Sequence, residues 1–120
     1  GIEIEKISDT IKLNLIYRPN KKNKYPGQSK LHYSPGIPIK MNIKQPKKNS
    51  AYLLINKRKK YNKNFFYLSK NRNLKEAGKN LYKILRNIKK KRYKLIEVEK
   101  IPNIRFGKVI NDRLLRASTK

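Results

Sequence analysis

The sequence predicts a small α/β domain in which helices wrap a mostly parallel sheet. Apolar residues alternate or cluster in four short segments, at 38–43, 51–56, 64–69 and 94–101, as strands require. Two further segments, from Asn73 to Lys90 and at 107–118, repeat their apolar residues every three or four positions, as amphipathic helices do. The order strand, strand, strand, helix, strand, helix is typical of a mostly parallel sheet covered by helices.

Each predicted strand has its own pattern. The first alternates Ile39, Met41 and Ile43 with other residues, and the second is a continuous apolar run, as expected for a strand covered on both faces. The third is rich in aromatic residues with high β propensity. The fourth contains Glu97 and Glu99, which are two residues apart and therefore on one face of a strand. We expect these two to be solvated charges rather than a catalytic carboxylate pair.

The first predicted helix has the clearest start signal. Asn73 is a good N-cap, and Glu76 follows three residues later, as in a capping box. Its predicted buried face consists of Leu74, Ala77, Gly78, Leu81, Leu85 and Ile88, and its outer face carries Lys75, Lys79, Lys83 and Lys90. The second helix is expected to turn Val109, Ile110, Leu114 and Ala117 inward.

Three regions are predicted along the chain. Residues 1–17 balance their charges and resemble the tail of a preceding domain, and the absence of an initiator Met at Gly1 favours a piece of a longer polypeptide. Residues 18–36 contain three prolines and no apolar periodicity, so they are predicted to form an extended linker. Residues 37–120 form the α/β domain.

The net charge of +26 has two explanations. A charge this large attracts RNA, nucleotides and other polyanions. However, Lys, Asn and Ile together make up 54 of the 120 residues, and these amino acids have A/T-rich codons. Drift of a genome toward A and T would give the same composition without any selection for RNA binding.

Several classes of site are excluded by the residues themselves. With no cysteine, there is no disulfide, thiolate nucleophile or cysteine zinc site, and one histidine, His32, cannot form a histidine metal cluster. No G-x-S-x-G, Walker or dinucleotide glycine pattern is present. Apolar runs are too short to span a membrane and resemble no secretory signal, so we expect a cytoplasmic protein without a complete active site.

The linker segment PGQSKLHYSP at 26–35 carries the most suggestive chemistry. The imidazole of His32 can donate a hydrogen bond to phosphate, and the phenol of Tyr33 can stack or hydrogen-bond. Ordinary surface packing is the alternative.

This segment resembles the P-G-(M/Q)-x-x-x-H-Y-(A/S)-P linker of the two-domain threonylcarbamoyl-AMP synthases, with matching residues at Pro26, Gly27, Gln28, His32, Tyr33, Ser34 and Pro35. Residues 65–103 resemble the family's strand, helix and following strand. FGKVINDRLLRAS at 106–118 is similar to its closing helix. The ordered resemblance covers residues 25–118.

The resemblance implies that the chain is the linker and Rossmann-like C-terminal domain of an enzyme that makes threonylcarbamoyl-AMP from threonine, bicarbonate and ATP. A separate transferase complex then moves the threonylcarbamoyl group to adenosine 37 of tRNA. ATP and Mg²⁺ are expected to bind mainly in the N-terminal YrdC-type catalytic domain, which this chain lacks. The linker is expected to cover that pocket, with His32, Tyr33, Ser34 and Pro35 facing nucleotide or pyrophosphate and Pro26 and Gly27 forming a turn.

Two other functions fit parts of the sequence. A basic RNA- or ribosome-binding module would explain the charge and the interleaved Tyr61, Tyr67, Tyr82 and Tyr93. A nucleotide-binding regulator could use the carboxyl edge of the sheet, although the missing glycine-rich loop argues against it.

Overall fold

The computed structural model describes residues 33–118, which form six elements in the predicted order. The strands are shorter than the apolar segments that predicted them, because only their central residues pair with a neighbour. The elements are β1 (Ile39–Lys40), β2 (Ala51–Leu54), β3 (Phe65–Tyr67), α1 (Leu74–Lys90), β4 (Ile96–Val98) and α2 (Phe106–Ala117).

The four strands form one sheet in the order β1-β4-β2-β3, and the three strand pairings are parallel. This confirms the predicted α/β class. Ile96 of the inserted strand β4 aligns with Ile39 on one side and Ala51 on the other. Since the strands are parallel, the segments that follow β1 and β4 leave the sheet at the same end.

Both helices lie on one face of the sheet, and together we call them the helix layer. α1 and α2 contact each other, and their apolar sides bury the inward residues of the strands. The main contributors are Ala51, Leu53, Ile96 and Val98 from the strands, Ile55 directly after β2, and Ala77, Leu81, Leu85, Ile88, Ile110 and Leu114 from the helices. The apolar stripe of α1 is therefore buried as its periodicity predicted.

The start of α1 is capped, although not by a reciprocal capping box. The Asn73 side chain accepts a hydrogen bond from the Glu76 backbone N–H at 3.0 Å, as predicted. The Asn73 N–H donates instead to the Ser69 hydroxyl oxygen at 3.0 Å, and that hydroxyl lies 3.0 Å from the Glu76 carboxylate. Ser69, which is buried, thus joins the end of β3 to the first turn of α1.

The opposite face of the sheet is covered by two connections, 41–50 and 55–64, which contain no helix and which we call the loop layer. Tyr52 and Leu54 are fully buried beneath them. The Tyr52 hydroxyl donates to the Ile43 carbonyl at 2.5 Å, and the Arg58 guanidinium lies 5.6 Å from the centre of the Tyr52 ring. Strand β2 is therefore buried on both faces, as its continuous apolar run predicted.

The turn into α2 is unusually close-packed. A Cβ added at Gly107 would lie 1.9 Å from the Pro102 carbonyl oxygen and 3.2 Å from a methyl group of Leu74. Arg105, at the N-cap, has a positive φ of 49° and makes no side-chain capping bond. Only a residue without a side chain fits at position 107. Glycine there lets the first turn of α2 pack closely against Pro102 and Leu74.

Candidate functional site

The structure places part of the predicted linker motif on the helix layer. Tyr33, Ser34 and Pro35 are described, and Pro35 is buried. Pro26, Gly27 and His32 lie outside the described residues. The nucleotide-facing role predicted for the motif therefore stays a prediction, but the contacts of its last three residues can be given.

Ser34 ties this segment to the end of α2. Its hydroxyl donates to the Ala117 carbonyl at 2.6 Å, a bond between residues 83 positions apart in the chain. The same oxygen accepts from the Gly36 N–H at 3.3 Å. Because Ala117 is the last residue of α2, its carbonyl has no acceptor role within the helix. Ser34 satisfies it.

Tyr33 packs on α1. Its ring meets the ring of Tyr82 edge to face, with centroids 6.0 Å apart, and the Arg86 guanidinium lies 5.8 Å from the centre of the Tyr33 ring. Both contacts have geometries that stabilise aromatic rings. We call Tyr33, Ser34, Tyr82, Arg86 and Ala117 the linker anchor.

Within the linker anchor, Tyr82 is buried, and this burial changes the pKa of its phenol. Tyr82 is 3% exposed, and this burial raises the pKa of its phenol, while the nearby Arg113 guanidinium partly offsets the rise. Arg113 itself is only 6% exposed. The predicted inward face of α2 did not include Arg113, and it did include Val109, which is half-buried. The Arg113 guanidinium thus lies near the buried Tyr82 phenol on this face.

Glu97 is buried and Glu99 is half-buried, and both carboxylates are hydrogen-bonded, so the expectation that they are solvated charges was wrong. Glu97 is 2% exposed, and its carboxylate accepts the Lys47 backbone N–H at 2.7 Å. The Glu99 carboxylate accepts the Ile55 backbone N–H at 3.0 Å and pairs with the Arg58 guanidinium at 2.9 Å.

The physical reason lies in the loop layer. Loops that cross a sheet face carry backbone N–H groups that no helix ladder satisfies, and buried donors of this kind need acceptors. Glu97 and Glu99 supply them. The hydrogen bond from Arg58 to Glu99 also raises the pKa of the arginine. These carboxylates hold the loops in place and are already occupied, so they do not form an acid/base pair.

Neither a metal centre nor a membrane span is present in the part of the chain that the structure describes. Between residues 33 and 118, no group of three His, Cys, Asp or Glu side chains is arranged to hold a metal ion. Neither α1 nor α2 has the length and apolarity needed to cross a bilayer.

The linker anchor could be predicted only in part. The motif drew attention to Tyr33, Ser34 and Pro35, but their partners on the helices were not identified. Tyr82 follows Gly78 by four positions and extends the apolar stripe of α1, which is the one local signal that it faces inward. The Ala117 carbonyl leaves no trace in the sequence, because every residue has a carbonyl.

The family model described as threonylcarbamoyl-AMP synthase, C-terminal domain, matches residues 2–119, a range that includes the 26–35 motif and all six elements. A search of curated proteins and a search of solved structures found no match.

Proposed function

This chain belongs to the threonylcarbamoyl-AMP synthase C-terminal domain family, which takes part in threonylcarbamoyl modification of tRNA, and we propose that it anchors the linker that closes the synthase active site. In this proposal, the chemistry takes place in a YrdC-type catalytic domain outside this chain. That domain joins threonine, bicarbonate and ATP into threonylcarbamoyl-AMP and releases pyrophosphate. A transferase complex then consumes the product.

One observation carries the proposal: the residues directly after His32 are fixed to the helix layer. The hydrogen bond from Ser34 to Ala117 and the ring contact between Tyr33 and Tyr82 are made by adjacent linker residues. His32 directly precedes Tyr33 in the sequence, and we infer that the anchored segment carries it. An imidazole held in this way can donate to a phosphate oxygen.

A stiff, anchored linker is suited to work as a lid. Prolines limit the conformations that the free linker explores, so less entropy is lost when it docks. Closing the lid over a reactive mixed anhydride excludes water, which would otherwise hydrolyse it. In this arrangement, Tyr33, Ser34 and Pro35 position the lid, while His32 faces the nucleotide.

The first test is the reading frame upstream of Gly1, where the proposal expects a YrdC-type catalytic domain. The second uses the enzyme that contains both domains. Ser34→Ala and Tyr33→Ala should each lower the rate of threonine- and bicarbonate-dependent pyrophosphate release, because the lid loses its anchor. His32→Ala should lower it as well.

Ser118→Ala is the matched control, since the Ser118 hydroxyl donates to the Leu115 carbonyl at 2.7 Å at the same helix end but outside the linker anchor. It should leave the rate unchanged. If Ser34→Ala, Tyr33→Ala and His32→Ala all retained the rate of Ser118→Ala, the lid proposal would be wrong.

A second candidate function, binding of RNA by the loop layer, rests on a different observation. The connection 55–64 exposes Tyr61 to 90%, between exposed Lys60 and Lys63. An exposed aromatic ring among lysines is a platform on which an unpaired base can stack while the backbone phosphates meet the amines.

Titration with tRNA at several salt concentrations tests this second candidate. The triple change Lys57→Gln, Lys59→Gln, Lys60→Gln should reduce the slope of log affinity against log salt by about 2–3. The same charge change on α1, at Lys75, Lys79 and Lys83, is the control. Equal effects from the two triple variants would mean that tRNA responds only to net charge.

A further inference from the structure

A cleft of about 630 Å³ lies between the ends of β1 and β4 and the outer side of α2. Its volume is within the range of small-molecule sites. The residues lining it that matter most are Met41, Asn103, Ile101, Lys100, Lys108 and Leu115. None of them belongs to the linker anchor.

The topology explains why a cleft forms here. β1 and β4 are neighbours, but the connection after β1 runs over the loop layer, where the Ile43 carbonyl accepts from Tyr52. The connection after β4 leads into α2, on the helix layer. Adjacent parallel strands whose connections leave on opposite faces open a crevice at their carboxyl ends, and ligands of open α/β sheets bind in such crevices.

The cleft is cationic. Lys100 and Lys108 are exposed, and no lysine between residues 33 and 118 forms an ion pair with a described carboxylate. The one acid in the lining, Asp112, is 3.0 Å from the Arg116 guanidinium. Lys108 also lies in the first turn of α2, which holds no acid. The helix dipole favours a negative charge at this position, whereas Lys108 is positively charged. An anion in the cleft would relieve this repulsion.

The rest of the lining offers oriented amides and an apolar wall. The Asn111 side chain donates to the Ile101 carbonyl at 3.0 Å and to the Asn103 amide oxygen at 3.3 Å. Because the Asn103 amide oxygen accepts from Asn111, the orientation of this amide is set and its nitrogen remains as a donor. Met41, Ile101 and Leu115 provide the apolar surface, and Leu115 is 58% exposed, a large fraction for a leucine. A ligand that covered Leu115 would remove apolar area from water.

We propose that this cleft binds a small phosphate ester with a flat apolar body, of the mononucleotide class. Its phosphate is held by Lys100 and Lys108, and its base lies against Met41, Ile101 and Leu115. No glycine-rich loop is needed, because lysine amines rather than backbone N–H groups neutralise the phosphate.

Titration of AMP into the 120-residue chain at about 0.15 M salt tests the proposal. Amide resonances of Asn42, Asn103 and Asn111 should shift, and the double variant Lys100→Ala, Lys108→Ala should bind AMP at least about tenfold more weakly. Lys44→Ala, Lys79→Ala removes the same charge outside the cleft and should change the affinity less than about twofold. Equal weakening by the two double variants, or shifts spread over residues 57–63, would overturn the proposal.

Two further probes identify the ligand class. AMP should bind more tightly than either adenosine or inorganic phosphate, since only AMP engages both the lysines and the apolar wall. Leu115→Glu, at an exposed position that does not endanger folding, should abolish the preference for AMP, whereas the control Tyr61→Glu should retain it. If inorganic phosphate bound as tightly as AMP, the cleft would be a simple anion site and the assignment to mononucleotides would be wrong.

Discussion

The two faces of the sheet are covered in different ways. In the helix layer, α1 and α2 satisfy their own backbone hydrogen bonds and present apolar side chains to the sheet. In the loop layer, the covering chain has unsatisfied N–H groups, and Glu97 and Glu99 accept two of them from below. The comparison shows that a sheet face covered by loops needs buried acceptors for the loop N–H groups, whereas a face covered by helices is packed mainly with apolar side chains.

The largest expected effect is in the helix layer. Gly107→Ala would place a methyl group 1.9 Å from the Pro102 carbonyl oxygen, so α2 would have to move. We expect the free energy of unfolding to fall by about 3 kcal/mol or more, measured by urea denaturation. Gly36→Ala is the control, because nothing lies within 4 Å of its Cβ although its φ is +76°. It should cost only about 1–2 kcal/mol, and a cost equal to that of Gly107→Ala would argue against close packing as the cause.

Cavities should cost more in the helix layer than in the loop layer. Leu81, on α1, packs in the core between the helix layer and the sheet, whereas Leu54, on β2, lies on the face covered by the loop layer, and both are fully buried. We expect Leu81→Ala to lower the free energy of unfolding by about 3–5 kcal/mol and Leu54→Ala by about 2–3 kcal/mol, since a loop can relax into the space left behind. Denaturation of the two variants side by side measures this difference, and an equal or larger loss for Leu54→Ala would remove the distinction between the layers.

Removing a carboxylate acceptor beneath the loop layer should have the next largest effect on the free energy of unfolding. Glu97→Ala leaves the Lys47 N–H without its acceptor, and Glu99→Ala does the same to the Ile55 N–H. Each should cost about 1–3 kcal/mol and speed hydrogen exchange at the amide that lost its partner. Glu97→Gln, which keeps an acceptor oxygen, should recover much of the loss.

Asp112→Ala makes the same charge change at an exposed ion pair with Arg116, and it should cost less than about 1 kcal/mol. If Asp112→Ala cost as much as Glu97→Ala, the effect would come from net charge rather than from the lost acceptor.

The smallest expected effect is on how the stability of the fold depends on pH. Burial raises the pKa of Tyr82 above its usual value near 10, so the folded state keeps the phenol protonated where the unfolded state has lost the proton. Tyr82 therefore contributes stability that is complete below about pH 10 and is lost as the pH rises from there through its folded pKa. Tyr82→Phe should flatten the decline in stability above about pH 10, measured by thermal melting. Tyr61→Phe removes the same hydroxyl from a ring that is 90% exposed and should leave the decline as in the parent chain.

The sequence predicted part of the linker anchor, but it carried no specific signal for the cleft. The motif pointed to Tyr33, Ser34 and Pro35 by their residue types. The cleft had no such signal beyond the general expectation for a carboxyl edge, because Lys100 and Lys108 look like any other lysines in a chain with 33 basic residues. Only the insertion of β4 beside β1 brings them to one crevice.

The order of the six elements, the apolar stripe of α1 and the capping residue Asn73 all follow from the amino-acid sequence, because each depends on neighbours within four positions. Tertiary structure decided the strand order, the burial of Glu97, the hydrogen-bond partners of Glu97 and Glu99, the inward position of Arg113 and the partners of Tyr33 and Ser34. The hydrogen bonds of Glu99, Glu97 and Ser34 join residues that are 44, 50 and 83 positions apart in the chain. No local periodicity can encode contacts over such separations. A glutamate in a strand is solvated or buried according to what later covers that face, and only the folded chain supplies the covering loop.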